Sequence, residues 1–123
     1  RDPRRFEILV RNTSWRMVVQ LARQQWDGLA EDLSVRTKDS SWNAEKLYDA
    51  MQTYWEQYDS IMLDTEARSK KHLVITKGET KWSGRQTLSD PDGDRLWVLE
   101  WEMDLESSVD IGGPALNLIA LHS

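Results

Sequence analysis

Trp82-Ser83-Gly84-Arg85-Gln86-Thr87-Leu88, then Ser89-Asp90-Pro91-Asp92-Gly93-Asp94, then Arg95-Leu96-Trp97-Val98-Leu99-Glu100-Trp101-Glu102-Met103-Asp104-Leu105-Glu106 is the stretch that decides the fold class. It reads as strand, tight turn, strand. Pro91 and Gly93 stand where a tight turn uses them. Strict alternation puts Trp97, Leu99, Trp101, Met103 and Leu105 on one face. Leu96, Val98, Glu100, Glu102, Asp104 and Glu106 take the other. One apolar and one largely acidic face is the pattern of a half-buried antiparallel strand. Residues 95–106 exceed the usual strand of about five or six residues, so this strand is expected to coil or bulge.

Upstream the pattern is helical. Asp2-Pro3 is a helix start, with Asp able to cap free N–H groups and Pro losing nothing at the first position. Phe6, Leu9, Val10, Thr13, Met17, Leu21, Gln25 or Trp26, and Leu29 follow at steps of three and four. Asn12-Thr13-Ser14 competes with the backbone and predicts a weak point there, or a short helix followed by a longer one. Gly28 is expected near the helix end, and residues 34–42 read as loop. Ser41 or Asn43 caps a second helix, with Leu47, Met51, Tyr54, Trp55, Tyr58 and Ile61 as its stripe. Residues 62–71 hold a turn or short helix around Thr65-Glu66-Ala67-Arg68, and Leu73-Val74-Ile75-Thr76 is a short strand. Gly112-Gly113-Pro114 is a further turn, and Ala115 to Leu121 form a last strand with Leu116 and Leu118 on one face.

Helices followed by a run of antiparallel strands predict an α+β fold, with the helices packed on one face of a curved sheet. The cystatin-like or nuclear-transport-factor-like cone is the expected type, and such sheets leave a conical pocket. At 123 residues the chain is one domain, 1–123, and folding removes roughly two-thirds of the surface of a chain this size. It does not begin with Met, so it is expected to be a piece of a larger protein.

Composition excludes several classes of function. There is no Cys, which removes disulfides, thiolate metal sites and thiol catalysis and fits a cytoplasmic location. No apolar run approaches the roughly 20 residues of a membrane helix. The net charge of −5 is uneven. Residues 1–38 are net basic, and both 39–80 and 81–123 are net acidic. A dedicated nucleic-acid domain is usually basic overall. Nucleic acid is therefore expected only at the N-terminal edge, through Arg4, Arg5, Arg11 and Arg16.

No catalytic constellation stands out. Counted from Asp90, the acidic turn has Gly fourth and Trp101 twelfth, so it fails the calcium-loop spacing, and no metal site is assigned. The two His, His72 and His122, lie far apart, and His72 is expected to be solvent-exposed at a strand start. Ser14 and Ser83 lack activating neighbours in the sequence. Gly84, alone in a strand, marks a bulge or a close approach. Asp59, after Tyr58, is the best polar candidate for a base in a pocket. Trp42, Trp55, Trp82, Trp97 and Trp101 are candidate pocket walls, although aromatics at this spacing are usually plain core. Arg68 and Arg85 are expected to pair with Asp59 or with the acidic strand face. The row from Glu100 to Glu106 reads as a solvated face that resists edge pairing, or as a docking face for a basic partner.

Several short words together carry a resemblance. They are Asp2-Pro3-Arg4-Arg5-Phe6, Leu9-Val10-Arg11-Asn12, Leu21-Ala22, Trp26-Asp27, Trp42-Asn43-Ala44, Tyr54, Asp59, Ala67-Arg68, Gln86, Asp90-Pro91-Asp92-Gly93-Asp94, Trp97 and Val109-Asp110. In this order they resemble the C-terminal domain appended to actinobacterial DEAD/DEAH-box superfamily II helicases. The resemblance implies a non-catalytic accessory domain that positions the motor or recruits a partner or nucleic acid. It implies no cofactor here; ATP and Mg would belong to the motor upstream. The chain departs from that pattern at Tyr58, where His is expected, and at Met62-Leu63-Asp64-Thr65, where Gly-Thr-Gly is expected before Ala67. A second reading is a small-molecule pocket, or a degenerate enzyme, built on Tyr58, Asp59, Arg85 and the Trp set. A third is a homodimer through the sheet, because open sheets of this kind pair face to face. Partners are thus the helicase domains, RNA or DNA bound weakly, or a second copy, with no membrane.

Overall fold

The computed structural model describes residues 2–123. Asp2 accepts the N–H groups of Arg4 and Arg5 and starts α1, Pro3–Ala22, with Pro at its first position. The helix runs unbroken through Asn12-Thr13-Ser14, against the expected weak point. Thr13 donates its hydroxyl to Leu9 O, and Ser14 turns into the core, so neither competes for the ladder. The buried stripe is Val10, Ser14, Met17, Val18 and Leu21, while Leu9 faces solvent.

The break falls later, at Gln24, whose φ is +54°. Gln25 N–H bonds to Gln20 O and Gln24 N–H to Leu21 O, the paired bonds of a left-handed helix stop. That position usually carries Gly or Asn, and Gln gives no such signal. Helix α2, Trp26–Arg36, then contains Gly28 rather than ending there, and takes up the first residues assigned to loop. Asn43 caps α3, Ala44–Gln57, as expected, by accepting the Lys46 N–H.

The sheet is an antiparallel meander of four strands in the order β1-β2-β3-β4. Its strands are β1 Leu73–Lys77, β2 Lys81–Thr87, β3 Val98–Asp104 and β4 Leu116–His122. The protein is therefore α+β. The expected strand over 95–106 is shorter at both ends. Asp104 accepts the backbone N–H and the hydroxyl of Ser107, and this cap turns the chain into α4, Leu105–Ile111. The link from β2 to β3 is also a broad loop rather than a tight turn, with Leu88 N–H still bonded to Trp97 O. A register shift at Glu100/Trp101 leaves Ile119 as an extra residue in β4. Leu116 and Leu118 point inward before it, and Leu121 does so after it.

Helices α1, α2 and α3 cover the inner face. Leu29, Leu33, Leu47, Met51 and Tyr54 meet Leu99, Trp101, Met103, Leu116 and Leu118 in one core. Burying each such side chain contributes about 1.5–3 kcal/mol. Among the described residues, no helix is long and apolar enough to cross a membrane.

Candidate nucleic-acid interface

Two of the four expected arginines share a groove. Pro3, Arg4, Glu7, Ile8 and Arg11 of α1 form one wall, and Lys70 and Lys77 the other, around about 360 Å³. Lys70 opens a one-turn 3-10 helix, Lys70–His72, and Lys77 ends β1. Four cations thus meet a single carboxylate. Hydrogen bonds from Lys77 and Arg11 hold Glu7 below the usual carboxylate range. Glu7 spaces the two cations: Arg11 Nε lies 3.1 Å from its Oε2, and Lys77 pairs with its Oε1. Arg11 also donates to Leu73 O. Among the described residues, Arg4 and Lys70 pair with no carboxylate.

The cations continue along α1. Arg11 and Lys70 also line a smaller cleft with Asn12, Trp15 and Arg68. The Arg68 guanidinium lies 5.7 Å above the Trp15 ring and donates to Asn12 Oδ1. Arg68 therefore belongs to this basic track, and not to Asp59 or the acidic strand as expected. Arg85 does lie by the acidic strand, 3.7 Å from Glu100. Arg5 is exposed outside the groove walls, and Arg16 faces α2, 3.4 Å from Asp32. Lys70, Lys77 and the place of Arg68 escape a reading of the sequence because they lie far along the chain from α1. The cluster Arg68-Ser69-Lys70-Lys71 is visible in the sequence, but only the fold sets it beside the helix.

The eight candidate pocket residues lie in different parts of the molecule. Trp55, Tyr58 and Trp97 gather around Tyr54, with ring centroids 5.0–5.6 Å from it. Trp42 bonds Leu118 O beside β4. Trp82 meets Phe6 edge-on, at 5.5 Å, near the groove. Trp101 is buried at the sheet centre, Arg85 is on the outer face, and Asp59 is exposed. Aromatic packing of α3 on the β2–β3 loop accounts for the first group.

Two polar arrangements were not expected. Ser14, without activating neighbours in the sequence, accepts Trp101 Nε1–H at 3.0 Å and donates to Gln86 Oε1 at 3.2 Å. Gln86 Nε2 in turn donates to His72 O. His72 is buried rather than exposed, with its ring 3.3 Å from Glu66. This chain ties α1 to β2, β3 and the 3-10 turn.

The acidic turn is organised around Asp90. Its carboxylate accepts the N–H groups of Asp92, Asp94 and Arg95 at 2.7–3.0 Å. Burial pushes its pKa up, but these backbone donors outweigh burial and hold it below the ordinary value. The turn also gathers carboxylate oxygens of Asp90, Asp92 and Asp94 within 4.8 Å of one another, a proximity that the calcium-loop count did not register. The Asp90 oxygens are engaged by backbone donors that the turn itself supplies. Tyr58 donates to Asp94 at 2.8 Å, and that bond raises its phenol to about 12. Met62 N–H bonds Ser89 O, so the end of α3 and this loop are fastened twice.

Comparison with curated proteins finds no match, and comparison with solved structures finds none. A family model described as "Domain of unknown function (DUF3516)" matches residues 1–121, nearly the whole chain, and the protein belongs to that family.

Proposed function

We propose that this domain is a non-catalytic accessory module of an ATP-dependent superfamily II DEAD/DEAH-box helicase, and that it touches the phosphate backbone of RNA or DNA through the groove between α1 and β1. The helicase context rests on the resemblance set out above. ATP and Mg act at the motor, and the working protein is cytoplasmic with its nucleic acid. Three helices on one face of a four-stranded antiparallel meander support the cystatin-like or nuclear-transport-factor-like cone.

The single observation that carries the contact is the gathering of Arg4, Arg11, Lys70 and Lys77 around one groove with only Glu7 against them. Cations converging from separate elements make a phosphate track, since Lys and Arg supply the sequence-independent part of nucleic-acid affinity. The acidic remainder of the surface keeps such binding weak and local. In this reading the module holds a strand for the motor and does not cut it.

Fluorescence anisotropy with a labelled single-stranded RNA at low salt tests this. Wild-type chain is expected to bind, and log K to fall against log salt with a slope of about −2, as for about three phosphates on a single strand. Arg4→Ala with Lys70→Ala should flatten that slope, and Arg16→Ala should leave it unchanged. No binding at low salt, or equal loss from Arg16→Ala, removes the proposal.

A further inference from the structure

Helices α1, α2 and α3 pack on the inner face of the sheet. The outer face leaves Val74, Arg85 and Ile119 exposed. At one corner the end of α2, Arg36 and Thr37, shares a cleft with Lys81, Glu102, Asp104 and Asn117. Register fixes what it displays. Lys81, Ser83 and Arg85 of β2 lie level with Asp104, Glu102 and Glu100 of β3. Val74 and Thr76 of β1 flank Arg85 and Ser83, and Ala120 and Asn117 of β4 flank Glu100 and Glu102. A basic column therefore runs beside an acidic column, and within one chain the two are joined by Arg85–Glu100 and Lys81–Glu102 pairs at 3.7 and 3.5 Å. Val74 and Thr76 lie outside the first column. Ala120, Asn117 and His122, which also pairs with Glu100, lie outside the second. Val74 is 61% exposed and Ile119, thrown out by the bulge, is 47% exposed. Between them lies a shallow depression of about 350 Å³, lined in part by Arg85, Glu100, Glu102 and Ile119.

We propose that this face binds a second copy of the same chain, about a two-fold axis running along the strands between β2 and β3. Rotation about that axis keeps each level and exchanges β2 with β3 and β1 with β4. Arg85 then meets the second copy's Glu100, and Lys81 meets its Asp104 and Glu102. Val74 meets the second copy's Ala120 and Ile119. Every contact recurs in reverse, as a two-fold interface requires. A basic partner would oppose only β3, and an acidic one only β2; a second copy opposes both columns at once. The twist of the sheets turns the two strand sets by about 30° without changing these levels at the centre.

Size sets the strength. Strands about 4.8 Å apart, three of them about 24 Å long and the five-residue β1 about 17 Å, give a face of roughly 430 Å². Stable interfaces bury about 800 Å² per partner, so the pair is expected to be weak, with Kd in the range of about 10 μM to 1 mM.

Arg85 and Glu100 are partly exposed, so their charges can be reversed without disturbing the core. Sedimentation equilibrium on the whole chain is expected to show dimerisation by wild type up to about 1 mM. Arg85→Glu alone sets a carboxylate against the second copy's Glu100, and Glu100→Arg alone sets a guanidinium against the second copy's Arg85. Each is expected to self-associate at least about tenfold more weakly than wild type, because like charges meet twice. Mixed in equal amounts, the two variants present opposite columns and should associate at least as tightly as wild type. Circular dichroism of each variant checks that it is folded. Wild type that stays monomeric, or folded variants that do not combine on mixing, would overturn the proposal. RNA binding through the α1 groove is untouched by either result, since the two faces share no residue.

Discussion

Gly84 and Trp101 face each other across β2 and β3, and the indole occupies the space a side chain at position 84 would fill. A Cβ there would stand 2.1 Å from one ring carbon and 2.2 Å from another. The ring has no room to retreat, because it is wholly buried and its Nε1–H is held by Ser14. Gly84→Ala is therefore expected to cost about 3 kcal/mol and lower the thermal midpoint by about 10 °C. An unchanged midpoint by differential scanning calorimetry would contradict this packing.

Ser14 sits between Trp101 and Gln86, so removing its hydroxyl strands two buried groups together. Ser14→Ala is expected to cost about 2 kcal/mol and Gln86→Ala a similar amount. Because both belong to one hydrogen-bonded chain, the double variant should cost less than the sum by at least about 0.5 kcal/mol. Urea unfolding of the four proteins measures it, and simple additivity would show that the two act independently.

Asp90 predicts an acid-sensitive turn. Its folded pKa is depressed below the ordinary value of 3.8, so its contribution is complete above that value and lost as pH falls through the folded one. Asp90→Ala leaves backbone donors of the turn unpaired and is expected to cost about 3 kcal/mol near neutral pH. The gap between wild type and variant should narrow steadily below about pH 4. A gap that stays constant down to about pH 2 would remove Asp90 as the cause.

Gly112 and Gly113 separate two effects of glycine after α4. Gly112 has φ +76°, which only glycine adopts freely, while Gly113 has no such constraint and open space where a Cβ would go. Gly112→Ala is expected to cost about 1 kcal/mol, and Gly113→Ala to be neutral or stabilising by up to about 0.5 kcal/mol. Equal effects would mean the left-handed stop does not hold α4.

Much of this was legible because the signals were local. Asp2 and Asn43 cap helices with their own side chains, and Leu99, Trp101 and Met103 alternate with Glu100 and Glu102 as a half-covered strand must. The misses came where two local readings competed. Asp104 continues an alternating strand and also caps a helix, and the cap prevailed because Ser107 lies three residues on. Gln24 ends α1 in a conformation that its side chain does not advertise. Ser14 looks like a helix weakener until Trp101 and Gln86 come to it from far along the chain. The groove has the same character. Arg4 and Arg11 are readable as helix cations, but their meeting with Lys70 and Lys77 is a product of the fold.

The Ser14–Gln86 bond has a consequence in time. The two residues are 72 positions apart. A ribosome adding about 5 to 20 residues per second makes Ser14 wait roughly 4 to 14 s for its partner. The meander itself closes only between neighbouring strands, so it assembles quickly once made. Helix α1, by contrast, emerges with Met17, Val18 and Leu21 uncovered and none of its own sheet yet to lie against. For those seconds the apolar stripe of α1 has α2 but not the sheet to pack against, and slower translation lengthens that interval.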